Sequence, residues 1–132
     1  MTEMPTPDLV EHVSVAAFAP TLERLKQAIA KAGMIVFAEI DHAAGARDVG
    51  LAMPPTVVLL YGHPKGGTPI MQAAPQAALD LPLRVLVRES ADGRVLVAFH
   101  AAAPMLRRAG VPEPLATRLD PAQRLIVEAI GP

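Results

Sequence analysis

The sequence has no cysteine and no tryptophan, a single tyrosine and three phenylalanines. Without cysteine there can be no disulfide, zinc–thiolate site, iron–sulfur cluster or thiol nucleophile, and the absence fits a reducing compartment. Aromatics make up 3% of the chain, so the platforms on which single-stranded bases stack are missing. An excess of one charge is missing too. Twelve basic residues against thirteen acidic ones leave a formal charge of -1, which gives no electrostatic footprint for a phosphate backbone. No apolar run approaches the roughly 20 residues needed to span a bilayer. The opening MTEMPTPDLVEHVSV carries acids and prolines where a signal peptide needs a basic region and an apolar stretch. The expectation is a soluble, cytoplasmic protein that meets neither nucleic acid nor membrane.

What is present is a chain of 132 residues, 52% of them hydrophobic, enough to build one core without staples. Residues 1–8 read as a flexible N-terminus, because Pro5 and Pro7 oppose regular structure. Residues 9–132 read as a single α+β domain. A first strand is expected over Val10 to Phe18, followed by a helix that Thr21 caps and that buries Leu22, Leu25 and Ile29. Gly33 suits the end of that helix. Met34 to Asp41 alternates as a strand, with Ile35, Phe37, Glu39 and Asp41 on one face and Val36, Ala38 and Ile40 on the other. Ala43 to Val49 could form a short helix. Thr56 to Tyr61 is almost wholly apolar, as a central strand should be.

Gly62 to Thr68 reads as a glycine-rich turn, with Thr68 and Pro69 opening a helix that Pro75 interrupts. Asp92-Gly93 joins a strand over Leu83 to Glu89 to one over Val95 to His100 as a hairpin. Helices follow near Pro104 to Ala109 and from Pro121 to Ile130, the last with Asp120 and Gln123 in capping-box spacing. A hairpin within this order argues for a two-layer α+β sandwich, with a mixed, largely antiparallel sheet and helices on one face.

Several segments carry a family likeness when taken in order. They are Phe18 to Leu25, Phe37 to His42, Met53 to Thr56, Tyr61 to Met71 and Leu79 to Arg84. Together, over roughly Thr21 to His100, they resemble the domain-of-unknown-function 302 family. The resemblance implies a small two-layer α+β domain that commonly forms homodimers, and it implies no settled activity. Two positions depart from the family pattern. Gly62-His63-Pro64 stands where Gly-Asn-Pro is usual, and Tyr61 stands where Phe is common.

Four constellations could carry chemistry. Asp41 and His42 end the second strand, where the imidazole could act as acid or base and the carboxylate orient it. Their plainer role is to cap the helix that follows. Tyr61, Gly62, His63, Lys65, Gly66, Gly67 and Thr68 follow a buried strand and lead into a helix, where backbone N–H groups and the Lys65 charge could hold an anion. The spacing matches neither a P-loop nor a dinucleotide fingerprint, and glycines are also the ordinary residues of a tight turn. His12, His42, His63 and His100, with Met53, Met71 and Met105, offer possible haem or copper ligands. No metal spacing joins them, and no specific motif indicates a cofactor. Arg84 shares a strand face with Leu86 and Arg88 and could clamp a carboxylate, or simply be a solvated strand charge. Ser14 and Ser90 lack a nucleophile-elbow setting.

Three functions follow. The first is a homodimeric domain that binds a small molecule or anion where the Asp41-His42 strand end meets the Gly62 to Thr68 turn. This needs the two segments to be neighbours. The second is an enzyme using His42 or His63 as acid–base. The third is an interaction module whose apolar surplus forms a dimer seam without any ligand.

Overall fold

A computed structural model gives the architecture of the protein and describes residues 8–132. Of the terminus expected to be flexible, residues 1–7 lie outside the described residues. Asp8 is tied down by an ion pair with Arg108 (2.8 Å). The first strand, β1 (Leu9–Val13), is followed by α1 (Phe18–Lys31), β2 (Ile35–Asp41) and α2 (His42–Asp48). Then come β3 (Thr56–Gly62), α3 (Pro64–Ala73) and a short 3-10 helix over Pro75–Asp80. The hairpin β4 (Leu83–Glu89) and β5 (Val95–His100) leads into α4 (Ala102–Arg108), α5 (Glu113–Ala116) and α6 (Asp120–Ala129).

The strands form one sheet in the order β1-β5-β4-β3-β2. Every pairing is antiparallel, so the mixed sheet allowed by the sequence is a purely antiparallel one. The central β3 and β4 alternate strictly. Val57, Leu59, Tyr61, Leu83, Val85 and Val87 point into the core. Leu25 and Ile29 of α1, Ile70 of α3, Leu106 of α4, and Ile126 with Ile130 from α6 onward cover that face. The opposite face, with Val58, Leu60, Leu86 and Arg84, has no core partner and stays partly exposed. On that face Arg88 and Glu11 flank Leu96 and Ala98 from the neighbouring strands and form an ion pair (3.6 Å).

Several local expectations are corrected. The first strand stops at Val13, and the chain turns so that the Ser14 hydroxyl meets that of Thr21 (2.6 Å). Thr21 is not a cap. It lies fully buried inside α1, which starts three residues earlier at Phe18 behind Ala17. Pro20 fits there because first-turn N–H groups have no intrahelical partner. Thr68 does not open α3, which begins at Pro64 behind His63. Leu119 precedes α6 without a side-chain cap, and the Gln123 side chain reaches elsewhere: it accepts from the Ala102 N–H (2.9 Å) and donates to the His100 carbonyl (2.9 Å). The β2 alternation is broken by a bulge between Val36 and Ala38. The extra residue, Phe37, shifts Glu39 onto the core side, opposite Leu59, and Ala38 onto the uncovered side, opposite Leu60. Glu39 there pairs with Lys26 of α1. Gly33 ends α1 at φ +78° and Gly93 makes the hairpin turn at φ +87°, left-handed conformations that favour glycine.

Candidate functional site

The sheet register separates the two segments expected to meet. Asp41 lies opposite Val57, near the start of β3, and Ile35 lies opposite Gly62, at its end. Val57 and Gly62 are five residue steps apart on β3, about 17 Å at the rise of an antiparallel strand. A site shared by His42 and the glycine-rich turn is therefore ruled out: although β2 and β3 are neighbours, antiparallel pairing puts the segments at opposite ends of them. Asp41 takes the plainer role. Its carboxylate accepts from the Ala44 N–H (2.9 Å) as the N-cap of α2. His42 is the first residue of that helix and is exposed.

The Gly62 to Thr68 segment, which from Pro64 on is the first turn of α3 and not a loop, borders the larger of two clefts, with a volume of ≈ 760 Å³. One wall is the end of β3 (Leu60 to Gly62) with the first turns of α3 (His63, Pro64, Gly66, Gly67, Thr68, Met71). A second is the Leu81-Pro82-Leu83 segment entering β4. The rest comes from Ala32, Met34 and Phe37, and from Arg118, Leu119, Pro121, Ala122 and Leu125 around the start of α6. The glycines are part of its shape. A Cβ on Gly66 would lie 3.6 Å from Leu119 Cδ2, and one on Gly67 would lie 3.8 Å from Met71 Cε and 3.9 Å from Leu81 Cδ1. A methyl fits at those distances, whereas a larger side chain on Gly67 would take up the cleft itself. Tyr61 closes the back. Its ring is fully buried and its hydroxyl donates to the Ala122 carbonyl (3.1 Å), which ties β3 to α6. Burial pushes its phenol pKa up from the ordinary 10.0.

The N–H groups of Lys65, Gly66 and Gly67 are already occupied. His63 Nδ1 accepts from the Lys65 N–H (3.0 Å), and the His63 carbonyl accepts from Gly66 (3.0 Å) and Gly67 (3.1 Å). Pro64 has no N–H. The anion cradle expected from the glycines is thus filled by the turn's own acceptors. With Nδ1 accepting, the proton of neutral His63 sits on Nε2, which offers a donor and not a metal-binding lone pair. One cation does reach the cleft. Pro69, inside α3, has no N–H to donate to the Lys65 carbonyl four residues earlier. Arg118 Nη2 donates to that carbonyl instead (3.2 Å), and this holds the guanidinium at the cleft wall.

The remaining sequence candidates lie elsewhere. Arg84 is exposed on the uncovered face of the sheet, opposite Leu60, and does not line the cleft. Lys65 lends the site its carbonyl, while its side chain is not among the lining groups. His12 is on β1. His100 and Met105 line a smaller, more polar cleft of ≈ 480 Å³ beside the Asp8–Arg108 pair. His63 and Met71 line the main one. Among the described residues no three His, Asp or Glu side chains are grouped to hold a metal. Arg118, Leu119 and Leu125 were not found from the sequence. The one available signal was the width of the α6 apolar arc, which takes in Ala122 and Leu125 beside the core stripe of Ile126 and Ile130.

The protein is therefore of the class of small two-layer α+β domains built on a five-stranded antiparallel sheet. A crystal structure of an uncharacterized conserved DUF302 protein from Bacillus stearothermophilus has this fold. It superposes with a TM-score of 0.80 at 14% identity, covering 93% of this chain and 95% of that one. The profile of the DUF302 family, a domain of unknown function, matches residues 10–131, and the chain belongs to that family. The match reaches well beyond the span from Thr21 to His100 over which the resemblance is visible by eye. Over 100 residues the chain is also 38% identical to the fluoride-specific ion channel FluC 1 of Brucella suis, covering 76% of this chain and 39% of that protein. It matches FluC 2 of Brucella melitensis equally well, covering 37% of it. The chain thus spans less than half the length of these relatives. No helix among its described residues is long and apolar enough to cross a membrane.

Proposed function

We propose that this chain is a homodimeric binding domain for a small, largely apolar molecule, with the cleft at the end of β3 as its site. The observation that carries the reading is the lining. Aliphatic, aromatic and thioether side chains make up most of the cleft wall, and apart from the Tyr61 hydroxyl, which is bonded to the Ala122 carbonyl, only His63, Thr68 and Arg118 among the described residues bring polar side-chain groups to it. Ligand sites are commonly clefts of this size, mainly apolar with a few placed polar groups. A second copy would cover the sheet's uncovered face, where Ile40, Val58, Leu60 and Leu86 leave apolar surface without a partner. Binding is favoured over acid–base catalysis because His63 has Nδ1 committed to its own turn and His42 has no carboxylate bonded to it among the described residues. The test is titration with a neutral, environment-sensitive dye such as Nile red, with native mass spectrometry of the same sample reading the dimer. Gly67→Leu, and independently a Thr68→Trp change at the exposed rim, should each weaken dye binding at least tenfold while the thermal melt is kept. Unchanged dye affinity in both folded variants would remove the cleft as the site.

The Brucella matches favour a second reading, in which the domain works beside a fluoride channel. Deleting its coding sequence should then raise the cell's sensitivity to fluoride. Unchanged growth across a fluoride series would sink this reading and leave the first untouched.

A further inference from the structure

We infer that the cleft's ligand is an amphipathic monoanion, an acyl-chain carboxylate or its chemical like, with its chain among the aliphatic side chains and its head at Arg118 and His63. The inference rests on the cleft being a binding site, as proposed above, and adds the chemistry of the occupant. Its first support is the charge of the lining. Among the described residues Arg118 is the single charged residue on the wall, and no Asp or Glu lines the cleft. Nor does Arg118 form an ion pair with any carboxylate among the described residues. Arg107 and Arg108 at the end of α4 are both paired, with Glu113 and Asp8. A guanidinium without a carboxylate at the edge of an apolar cleft complements an anion.

The second support is how this cation is held. Among the described residues Arg118 makes one donor contact to the protein, the bond from Nη2 to the Lys65 carbonyl (3.2 Å). That carbonyl is open because Pro69 cannot donate to it. The contact fixes the guanidinium against α3 and leaves its other N–H groups for a ligand, since a guanidinium carries five. The third support is His63. With Nδ1 accepting from Lys65, the neutral ring carries its proton on Nε2, and His63 lines the same cleft, so its free ring N–H is a second donor available to a ligand head group. Arg118 and His63 thus offer donors, while the Thr68 hydroxyl can act either way and the Tyr61 hydroxyl is spent on the Ala122 carbonyl. The apolar part, with Met34, Met71, Leu81, Leu119 and Leu125, suits a flexible chain. Methionine side chains adapt to irregular shapes.

The experiment compares decanoate with decanol, each below its micelle or solubility limit, displacing Nile red from the intact protein. Arg118→Gln and Arg118→Lys are measured alongside wild type, with thermal melts as a folding check. In wild type, decanoate should bind about tenfold more tightly than decanol, the scale of a charge-assisted contact. Arg118→Gln should bring decanoate to the level of decanol and leave decanol unchanged, and Arg118→Lys should recover part of the difference. Equal affinity for decanoate and decanol in wild type, or a decanoate affinity indifferent to Arg118→Gln, overturns the anionic head group while the cleft remains an apolar site. Failure of both compounds to displace a bound dye overturns the acyl-chain class. Failure of the dye itself to bind removes the site reading on which the inference rests.

Discussion

Replacing Gln123 should destabilise the fold well beyond what one exposed amide would. Its side chain lies buried between α6 and the junction of β5 with α4. The Oε1 atom takes the N–H of Ala102, the first residue of α4, at 2.9 Å, and Nε2 donates to the carbonyl of His100 at 2.9 Å. Ala101 gives α4 no side-chain cap, so Gln123 acts as a cap from a distant helix. Gln123→Leu keeps most of the volume and removes both bonds. The Ala102 N–H, in a fully buried residue, would then be stranded. An unsatisfied buried donor costs about 1–3 kcal/mol, and a lost ordinary hydrogen bond about 1 more, so the expected loss is about 2–4 kcal/mol. That is a large fraction of the stability of a domain this size. Urea unfolding followed by far-ultraviolet circular dichroism reads it, since the chain has no tryptophan. Gln123→Glu adds a sign test. The acceptor to Ala102 survives, but an ionised carboxylate faces the His100 carbonyl, and only the protonated acid restores the donor. The folded state of that variant therefore raises the carboxyl pKa. Its deficit should be small at low pH and grow as pH rises through the raised value. A Gln123→Leu variant within about 0.5 kcal/mol of wild type would refute the reasoning.

Tyr61 predicts an alkaline limit. Burial favours its neutral phenol and raises the folded pKa above the ordinary 10.0, so the stabilisation is complete below pH 10 and is lost as pH rises from there toward the folded value. The contribution falls by about 1.4 kcal/mol per pH unit in that window. Phenolate absorbance should therefore appear with unfolding and not before it, and phenolate in a protein still folded at pH 10 would contradict the burial. Tyr61→Phe should flatten that slope. At neutral pH it should cost about 1 kcal/mol for the bond to Ala122, as urea midpoints would show. A cost near zero would mean that the hydroxyl is not what ties β3 to α6.

The fold was legible wherever period and punctuation agreed. β3 and β4 alternate, Asp92-Gly93 closes its hairpin, and Gly33 ends α1. Those signals are local, and local backbone sterics enforce them. What was not legible depends on distant partners. Thr21 has the chemistry of a cap and sits beside a proline, but the Ser14 hydroxyl recruits it into the core. Gln123 has capping-box spacing from Asp120, but the junction of β5 and α4 claims its amide. The bulge at Phe37 leaves no mark on the hydrophobic pattern and reverses the face of every residue after it in β2. α5 is only four residues long, too short for any period to announce it.

The same division explains the site. The Gly62 to Thr68 turn stood out because glycine clusters are conspicuous, and it does border the main cleft. The chemistry expected of it did not follow, because a glycine count does not say who occupies the amides. His63 does, with its ring nitrogen and its carbonyl. The departure from Asn to His at this position need not alter that capping function, since an Asn oxygen can accept the same Lys65 N–H as an N-cap. What His adds is a donor on the far side of the ring. The cation of the site comes from Arg118, 53 positions away from the carbonyl it bonds, and that carbonyl is open only because Pro69 follows it four residues later. A proline within a helix and an arginine in a distant loop read as unrelated in the sequence. In the fold they form one device, in which a missing backbone donor is replaced by a side-chain donor that stays turned toward the cleft.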